Sequence, residues 1–337
     1  MKIEILKCHG SGNDFILIDE YNNNYDFSEE QRIKLTLDLC RRDSALGADG
    51  ILFFTKSQKA PAEAGIPAEA GSPAEAGMRI FNADGSEAEM CGNGLRCLGR
   101  YALEVLKKEQ VLIETIKENL LVKRLPDIFE GVVTVKATIK PANFHLTSLP
   151  MLREKDTLKN EIIPELSDTL RFTALSIPNP HIVAIVDNID EKAIDEIGKK
   201  ANEAKNIFPK GINLNFVKIL GDKTIYVQTY ERGVGLTNAC GTGMSSSSLV
   251  TCVLGFNNVG EEILVVNRGG MVKCQPKLSK EGKYYVELMG NATYTFRGEV
   301  EFDFENNKPF SFTETEVFQE DIRNYEKLAE YAKKFIK

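Results

Sequence analysis

Two cysteines in this sequence are each followed by glycine, a polar residue and a second glycine. The first group, Cys91-Gly-Asn-Gly94, opens an apolar pattern at helical spacing over residues 95–106. The pattern predicts a helix that begins at the cysteine. The thiol would then lie where unpaired backbone N–H groups and the positive end of the helix dipole meet. That environment favours thiolate over thiol and also suits a bound carboxylate.

The second group, Cys240-Gly-Thr-Gly243, has the same arrangement. A strand-like run at 227–232 precedes it, and a run of small and apolar residues at 244–254 follows it. One such group is a weak signal, because glycine is common after cysteine. Two groups, each joining a predicted strand to a predicted helix, indicate a duplicated unit with two facing thiols.

Strand-like runs surround both cysteine groups and must position them. In the first half of the chain they are residues 3–8, 15–18, 51–54, 78–81, 111–116, 120–124 and 132–139. In the second half they are residues 172–177, 182–186, 213–217, 224–230, 262–267, 271–275, 284–289 and 293–304. Helical patterns at 28–40 and 190–206 complete the prediction of a mixed α/β chain.

Polar residues at the ends of these runs are candidates for contact with a substrate. Asn13 lies either in a simple hairpin turn or in a Gly-rich loop that approaches a ligand, and Asn179 is held between two prolines. His181 is either a buried core histidine or a neighbour that tunes a thiol, and the sequence leaves both open. Arg232 is either half of an exposed ion pair or a bidentate partner for a carboxylate.

Length, charge and cysteine usage limit the class of protein. The 337 residues suggest two domains, and the net charge of −7 argues against nucleic acid or an anionic membrane as partner. The first residues lack the apolar stretch of a signal peptide and no run is long enough to span a membrane, so we expect a cytoplasmic protein. Seven cysteines without a Cys-x-x-Cys motif and three scattered histidines predict neither a disulfide framework nor a metal site.

Two further segments have patterns of their own. The Pro-Ala-Glu-Ala-Gly repeat at 61–77 has a period of six, but alanine is too small to fill a solenoid core, so we predict a flexible loop. Near the end of the chain, Thr313-x-x-Glu316 resembles a capping box. It predicts the start of a helix whose apolar face runs from Phe318 to Phe335.

Eight short motifs, spread in order over most of residues 3–300, carry a resemblance to a known family. They are Lys7-x-His9-Gly-x-Gly-Asn13-Asp14-Phe15, Gly47-Ala-Asp49-Gly50, Arg79-Ile-Phe-Asn82-Ala-Asp-Gly85-Ser-Glu, Cys91-Gly-Asn93-Gly-x-Arg96, Pro178-Asn179-Pro-His181, Asn213-x-Asn215-Phe216-Val217, Glu231-Arg232-Gly233 and Ala239-Cys240-Gly-Thr242-Gly243. In these residues the chain resembles the diaminopimelate epimerase family.

The resemblance implies a fold of two similar α/β domains, each a barrel-like, mainly antiparallel sheet around a central helix, with the active site in the inter-domain cleft. We place the N-terminal domain at residues 1–140, with about 293–337 packing back on it, and the C-terminal domain at 141–292. The implied activity is cofactor-independent interconversion of LL- and meso-diaminopimelate, a step in lysine and peptidoglycan precursor synthesis. Members of the family generally act as homodimers.

The resemblance also assigns roles to residues by position. Cys91 and Cys240 would be the acid–base pair, one as thiolate and the other as thiol. His181 and Glu231 would adjust the acidity of the thiols. The residues that would bind substrate through side chain or backbone are Asn13, Asn82, Gly92, Asn93, Asn179, Asn213, Glu231, Arg232, Gly241 and Thr242.

The sequence departs from the family pattern in three respects. Some relatives carry a side-chain amide at the position of Gly50, where this chain offers only backbone. Leu236 stands where the family commonly has glutamate. The repeat at 61–77 and the residues after about 305 lie outside the pattern.

Other functions share parts of this sequence pattern. A proline or hydroxyproline racemase also has paired cysteines, but those proteins tend to carry histidine at the position of Asn93. A phenazine-type isomerase lacks the thiol pair. A non-catalytic, redox-responsive amino-acid-binding protein would use the same two thiols to form a disulfide.

Overall fold

Strands make up most of the regular structure in the computed structural model, which describes residues 1–58, 74–306 and 309–335. The strands of these residues are β1 (Lys2–Gly10), β2 (Asn13–Asp19), β3 (Gly50–Thr55), β4 (Ala76–Asn82), β5 (Gln110–Glu114), β6 (Asn119–Leu125), β7 (Thr134–Ala142), β8 (Glu161–Ile162), β9 (Arg171–Ile177), β10 (Asn179–Ile185), β11 (Asn213–Gly221), β12 (Thr224–Glu231), β13 (Gly235–Thr237), β14 (Ile263–Asn267), β15 (Gly270–Leu278), β16 (Tyr284–Asn291), β17 (Thr293–Glu301) and β18 (Ser311–Val317). The helices are α1 (Glu29–Leu39), α2 (Gly92–Leu106), α3 (Glu191–Glu203), α4 (Gly241–Val253) and α5 (Gln319–Ala332), with 3-10 turns at Leu146–Ser148 and Lys333–Phe335.

The first of two compact units comprises Met1–Ala137 and Gly290–Lys327. In it β1 pairs antiparallel with β2 and β17, and β17 pairs antiparallel with β18. From β2 the sheet continues through β3, β4, β5 and β6 to β7, with parallel pairs at β2–β3 and β4–β5. Helix α1 connects the first parallel pair and α2 connects the second. The buried helix α2 packs against β1 to β6, so it forms the centre of this unit.

The second unit comprises Thr138–Met289 and Leu328–Lys337. Its strands pair from β8 through β9, β10 and β11 to β12, and β12 pairs with both β13 and β14. Strands β14, β15 and β16 continue antiparallel. Here α3 connects the parallel pair β10–β11, and α4 connects the parallel pair β12–β14. Helix α4 is buried and packs against β9 to β12, β14 and β15.

The composition of α4 explains how a helix can be surrounded by a sheet. Residues Ser245 to Ser248 are small enough to let strands approach closely, and all four are fully buried. Their hydroxyl groups need partners inside the protein. Ser245, Ser246 and Ser248 donate to the carbonyls of Gly241, Gly243 and Met244, each at 2.9 Å, so the helix itself satisfies these three. Ser247 Oγ has no hydrogen-bond partner among the described residues.

The two units follow one order of elements. In each unit a helix joins two parallel strands, and a third strand pairs antiparallel with the second of them. A buried helix then connects the third strand to a further strand parallel to it. The predicted fold class, two similar α/β domains each with a central helix, is confirmed. Every predicted strand run overlaps an observed strand, and the helices predicted at 28–40 and 190–206 are present as α1 and α3.

The prediction of a helix starting at Thr313 is wrong. Thr313 and Glu316 lie in β18, and α5 begins only at Gln319. In β18, Thr313 pairs with Glu299 and Glu316 with Arg297 of β17. The ring of Phe312 contacts that of Phe296, 5.6 Å between centroids. Pairing with an existing strand and this aromatic contact therefore outweigh the local capping pattern.

The repeat at 61–77 lies outside the described residues up to position 73. From Ala74 the chain is described again, Ala74 is buried, and β4 begins at Ala76, two residues before the predicted strand start. Across the described parts of the chain, no helix is both long and apolar enough to cross a membrane.

Candidate active site

Cys91 occupies the N-cap position of α2, where the sequence placed it. Its backbone is extended, its Sγ accepts a hydrogen bond from the Gly94 N–H at 3.5 Å, and its carbonyl accepts from the Leu95 N–H at 2.8 Å. The side chain is partly exposed. The sulfur therefore lies at the positive end of a buried helix dipole and still reaches solvent.

The amide of Asn13 faces the Cys91 sulfur. Asn13 Oδ1 accepts from the thiol at 3.7 Å and from Asn93 Nδ2 at 3.2 Å. On its other side Asn13 Nδ2 donates to Asp49 Oδ2 at 2.6 Å. Because an ionised carboxylate only accepts, Asp49 fixes the amide with its oxygen toward the thiol. We call Cys91, Asn13, Asn93 and Asp49 the Cys91 site.

Asp49 belongs to a charged cluster that the sequence analysis did not identify as functional. Arg42 binds both Asp49 and Asp14, and Lys7 Nζ lies 2.6 Å from Asp14 Oδ2. Burial alone would raise the pKa of Asp14, but hydrogen bonds from Arg42 and Lys7 outweigh it and hold that pKa at about 2. Asp49 belongs to the motif Gly47-Ala-Asp49-Gly50, which the sequence analysis noted. Nothing in that motif indicates that the carboxylate contacts Asn13.

Two further predicted residues of the first unit lie beside this cluster. Asn82 pairs with Gly50 in the β3–β4 register, and the Ala83 N–H donates to the Asp49 carbonyl at 3.0 Å. The Asn82 side chain is exposed and donates to Ser86 Oγ at 3.1 Å. Gly92 is the first residue of α2 and is buried. A Cβ at position 50 would collide with the Phe81 carbonyl, so this backbone path has no room for a side chain there.

Cys240 occupies the N-cap position of α4 and repeats the geometry of Cys91. Its Sγ accepts from the Gly243 N–H at 3.4 Å, and its carbonyl accepts from the Met244 N–H at 2.8 Å. The Thr242 hydroxyl lies 3.5 Å from the sulfur. Unlike Cys91, which is partly exposed, Cys240 is buried and only 5% exposed.

A chain of buried hydrogen bonds leads from Asn215 through His181 and Thr242 to the sulfur. Asn215 Nδ2 contacts the Ile182 carbonyl at 3.2 Å, which identifies it as a donor, and it also lies 3.1 Å from His181 Nδ1. His181 Nδ1 is therefore the acceptor, and the neutral ring carries its proton on Nε2. That proton points to Thr242 Oγ1 at 3.0 Å, closer than the amide of Asn213 at 3.5 Å.

The direction of this chain determines what Thr242 offers the thiol. Burial, with the positive charge of Arg232, lowers the pKa of His181 to about 3, so the ring is neutral at physiological pH. Because Thr242 Oγ1 accepts from His181, its own hydroxyl proton is free to point at Cys240 Sγ. A hydrogen bond donated to sulfur favours the thiolate. We call Cys240, Thr242, His181 and Asn215 the Cys240 site.

The sequence led us to expect that a helix N-terminus would favour thiolate over thiol at both cysteines. At Cys240 the direction is the opposite: burial raises the pKa well above its usual value, and the negative charge of Glu231 raises it further. The hydrogen bonds from Thr242 and Gly243 lower it, but they are outweighed. Desolvation of a buried thiolate therefore exceeds the effect of the helix N-terminus at this position.

The other predicted residues of the second unit lie at strand ends. Glu231 ends β12 next to Arg232, whose backbone N–H donates to Asn213 Oδ1 at 2.9 Å and whose Nη1 donates to the Lys210 carbonyl at 3.3 Å. Asn213 begins β11, opposite His181 in the β10–β11 register. Asn179 begins β10 and is partly buried. Among the described residues no group of three or more His, Cys, Asp or Glu side chains could hold a metal ion.

Gly243 has no room for a side chain, and this gives a testable prediction about the Cys240 site. A Cβ there would lie 2.5 Å from Asn215 Oδ1, 2.7 Å from Thr229 Oγ1 and 3.1 Å from the Cys240 Cβ. Overpacking of this kind costs about 1–3 kcal/mol, so Gly243→Ala should lower the free energy of unfolding in urea by that amount. Gly221→Ala is the matched control, since no atom lies within 4 Å of its Cβ. Equal stability of the two variants would contradict the tight packing described here.

Comparison with known proteins relates the whole sequence to one family. The model of the diaminopimelate epimerase family matches residues 5–134 and 173–295. The chain is 48% identical over 334 residues to a diaminopimelate epimerase from Clostridium acetobutylicum, covering 99% of this chain and 96% of the relative. It is 41% identical over 299 residues to the one from Enterococcus faecalis, covering 88% of each chain.

Among solved structures, a Bacillus anthracis phenazine biosynthesis protein of the PhzF family has a TM-score of 0.63 at 14% identity, over 90% of this chain and 100% of that one. At this identity the likeness shows the fold alone. The sequence matches then define the chain as an isomerase that acts on amino acids. It belongs to the diaminopimelate epimerase family.

Proposed function

We propose that this protein interconverts LL- and meso-diaminopimelate without a cofactor, in the synthesis of lysine and peptidoglycan precursors. The observation that carries the proposal is membership of the family together with a cysteine at the N-cap of each central helix. Each of the two sulfurs contacts a polar side chain, Asn13 at Cys91 and Thr242 at Cys240. Such contacts change the acidity of a thiol, and they support acid–base chemistry rather than a purely structural role for either cysteine.

We propose that Cys91 and Cys240 act from opposite faces of the substrate α-carbon. In each direction one sulfur, as thiolate, removes the α-proton, and the other, as thiol, delivers its own proton to the opposite face. At the Cys91 site Asn13 Oδ1 accepts a hydrogen bond from the thiol. At the Cys240 site the Thr242 hydroxyl can donate to the thiolate that forms when that cysteine acts as the base.

Negative charge that develops on the substrate during proton removal needs stabilisation. We propose that the helix N-termini supply it, through the backbone N–H groups of Gly92 and Asn93 on α2 and of Gly241 and Thr242 on α4. Such N–H groups are fixed before the reaction and lie at the positive ends of helix dipoles, so they act on a carboxylate that gains enolate character.

The remaining predicted residues are proposed as substrate contacts. The amides of Asn13, Asn82, Asn179 and Asn213 and the charges of Glu231 and Arg232 match a substrate with two ammonium and two carboxylate groups. A substrate ammonium beside Glu231 would offset the negative charge that raises the pKa of Cys240. His181 would act on the same thiol through Thr242. The homodimer and the cytoplasmic location stay predictions.

Hydrogen exchange at the α-carbon tests the proposed function. The protein is incubated under reducing conditions in D₂O with LL-diaminopimelate or with L-proline, and α-deuterium and stereochemistry are followed. Label and inversion in diaminopimelate alone support the proposal. Label in proline would point to a proline racemase, and no label in either substrate would favour a redox-responsive binding protein.

A further inference from the structure

Helix α5 lies beyond residue 295, where the family model stops matching, yet it is attached to the first unit at several points. The Phe318 N–H donates to the Thr295 carbonyl at 2.9 Å, and Asn324 Nδ2 donates to the Gly131 carbonyl at 3.1 Å. Asp321 accepts from the Tyr294 N–H at 3.1 Å and pairs with the buried Arg100. The first turns of α5 therefore have a fixed position in this unit.

Tyr325, one turn after Asp321, contacts His9. The two rings meet edge to face, with centroids 4.3 Å apart and planes at 68°. On its other side His9 is part of the turn that precedes Asn13: Nδ1 accepts from the Gly12 N–H at 3.3 Å. The His9 carbonyl accepts from Asn291 Nδ2 at 3.2 Å. His9 thus joins α5 to the turn at residues 10–12.

This turn has an unfavourable backbone and depends on its neighbours. Ser11 has φ +56° and Gly12 has φ +79°, so a non-glycine residue occupies the left-handed region. The Ser11 N–H donates to Asn291 Oδ1 at 2.8 Å, and Arg96 Nη2 donates to Ser11 Oγ at 3.2 Å. Asn13, whose amide oxygen contacts Cys91, directly follows. A small change in the turn would therefore move an atom that touches the thiol.

We propose that Tyr325 is a positioning residue for the Cys91 site, acting through His9 and the turn at residues 10–12. The inference rests on the proposed function for its effect on turnover, and on geometry alone for its effect on the Cys91 thiol. It assigns a role to a segment that lies outside the family pattern.

The protonation of His9 supplies a specific readout. The charged groups that act on His9 are Asp14, Lys7, Arg96 and Asp321, and burial, the largest influence, lowers its pKa to about 4. The neutral ring can accept from the Gly12 N–H, whereas the protonated ring cannot. Without the Tyr325 ring, water reaches His9 and its pKa rises toward the ordinary value of about 6.5. The turn then loses this hydrogen bond as the pH falls toward 6.

The test compares Tyr325→Ala and Tyr325→Phe with Tyr331→Ala, which removes a ring further along the same helix that is 39% exposed. For diaminopimelate epimerisation, Tyr325→Ala should lower kcat/KM about 10-fold at pH 8, as expected for a displaced contact residue. It should lose a further several-fold between pH 7.5 and 6. Tyr325→Phe keeps the edge-to-face contact and should match the unmodified protein and Tyr331→Ala at every pH.

A second measurement does not depend on the reaction. The rate of iodoacetamide alkylation is followed at Cys91 and Cys240 by peptide mass spectrometry. Loss of Asn13 Oδ1 as acceptor should raise the Cys91 rate several-fold in Tyr325→Ala and leave the Cys240 rate unchanged. Unchanged Cys91 alkylation in Tyr325→Ala would overturn the inference, and this holds even if the unmodified protein proved inactive on diaminopimelate. Should Tyr325→Ala fail to fold, Tyr325→Leu keeps apolar bulk without the ring and is subject to the same two criteria.

Discussion

Replacing either Cys91 or Cys240 with alanine is expected to lower kcat for epimerisation by about 10³-fold, within the range for loss of a positioned general acid or base. Inversion at one carbon needs a proton removed from one face and a proton delivered to the other. With one sulfur missing, one of these two transfers has no donor or no acceptor. Circular dichroism should stay close to that of the unmodified protein, because loss of an N-cap side chain costs only about 0.5–2 kcal/mol and does not remove the helix.

The alanine variants also allow a test of the two-base scheme itself. Each variant retains one sulfur, which can remove a proton from its own face and return a deuteron to the same face. In D₂O each should therefore exchange the α-hydrogen of one stereoisomer without inverting it, and the two variants should select opposite stereoisomers. Cys252→Ala is the matched control, since Cys252 lies in the helix that Cys240 caps and, like Cys91, is partly buried. Inversion at a near-normal rate by either active-site variant would refute the scheme.

The placement of the two thiols could be predicted because it depends on short-range patterns. A Gly-polar-Gly sequence that joins a strand-like run to a helix-like run indicates a helix start, and both cysteines are N-cap residues. Their surroundings depend on residues distant in the chain. Asp49 orients Asn13, and Asn215 with Thr242 determines the tautomer of His181. No local pattern in the sequence indicates these contacts.

The errors in the sequence analysis have two physical origins. Residues 313–316 have a helix-capping pattern, but they form part of β18 because the edge of β17 is available for pairing. At Cys240 the expected effect of the helix N-terminus was correct in sign, but the expectation took no account of burial. Burial of a single thiol depends on the whole unit around α4, which periodicity along one segment does not reveal.

Glu231→Gln is expected to change two properties of the Cys240 site in opposite directions. The carboxylate raises the pKa of Cys240 through its charge and a hydrogen bond, both secondary to burial. Removing the charge therefore lowers that pKa, and more thiolate is present at pH 8. Alkylation of Cys240 by iodoacetamide should become faster. In contrast, kcat/KM for diaminopimelate should fall about 100-fold, because the substrate ammonium loses a charge-assisted hydrogen bond worth about 3 kcal/mol.

A faster alkylation of Cys240 together with a lower kcat/KM distinguishes this proposal from general damage to the site. A disturbed site would lose activity without a selective gain in thiol reactivity at Cys240, and alkylation of Cys91 serves as the internal reference. Glu261→Gln is the matched control, because Glu261 acts on Cys252, whose pKa burial and that charge raise to about 12. It should leave both epimerisation and Cys240 alkylation unchanged. Slower alkylation of Cys240 in Glu231→Gln would show that Glu231 does not raise the pKa of this thiol, and full activity would show that Glu231 does not bind the substrate ammonium.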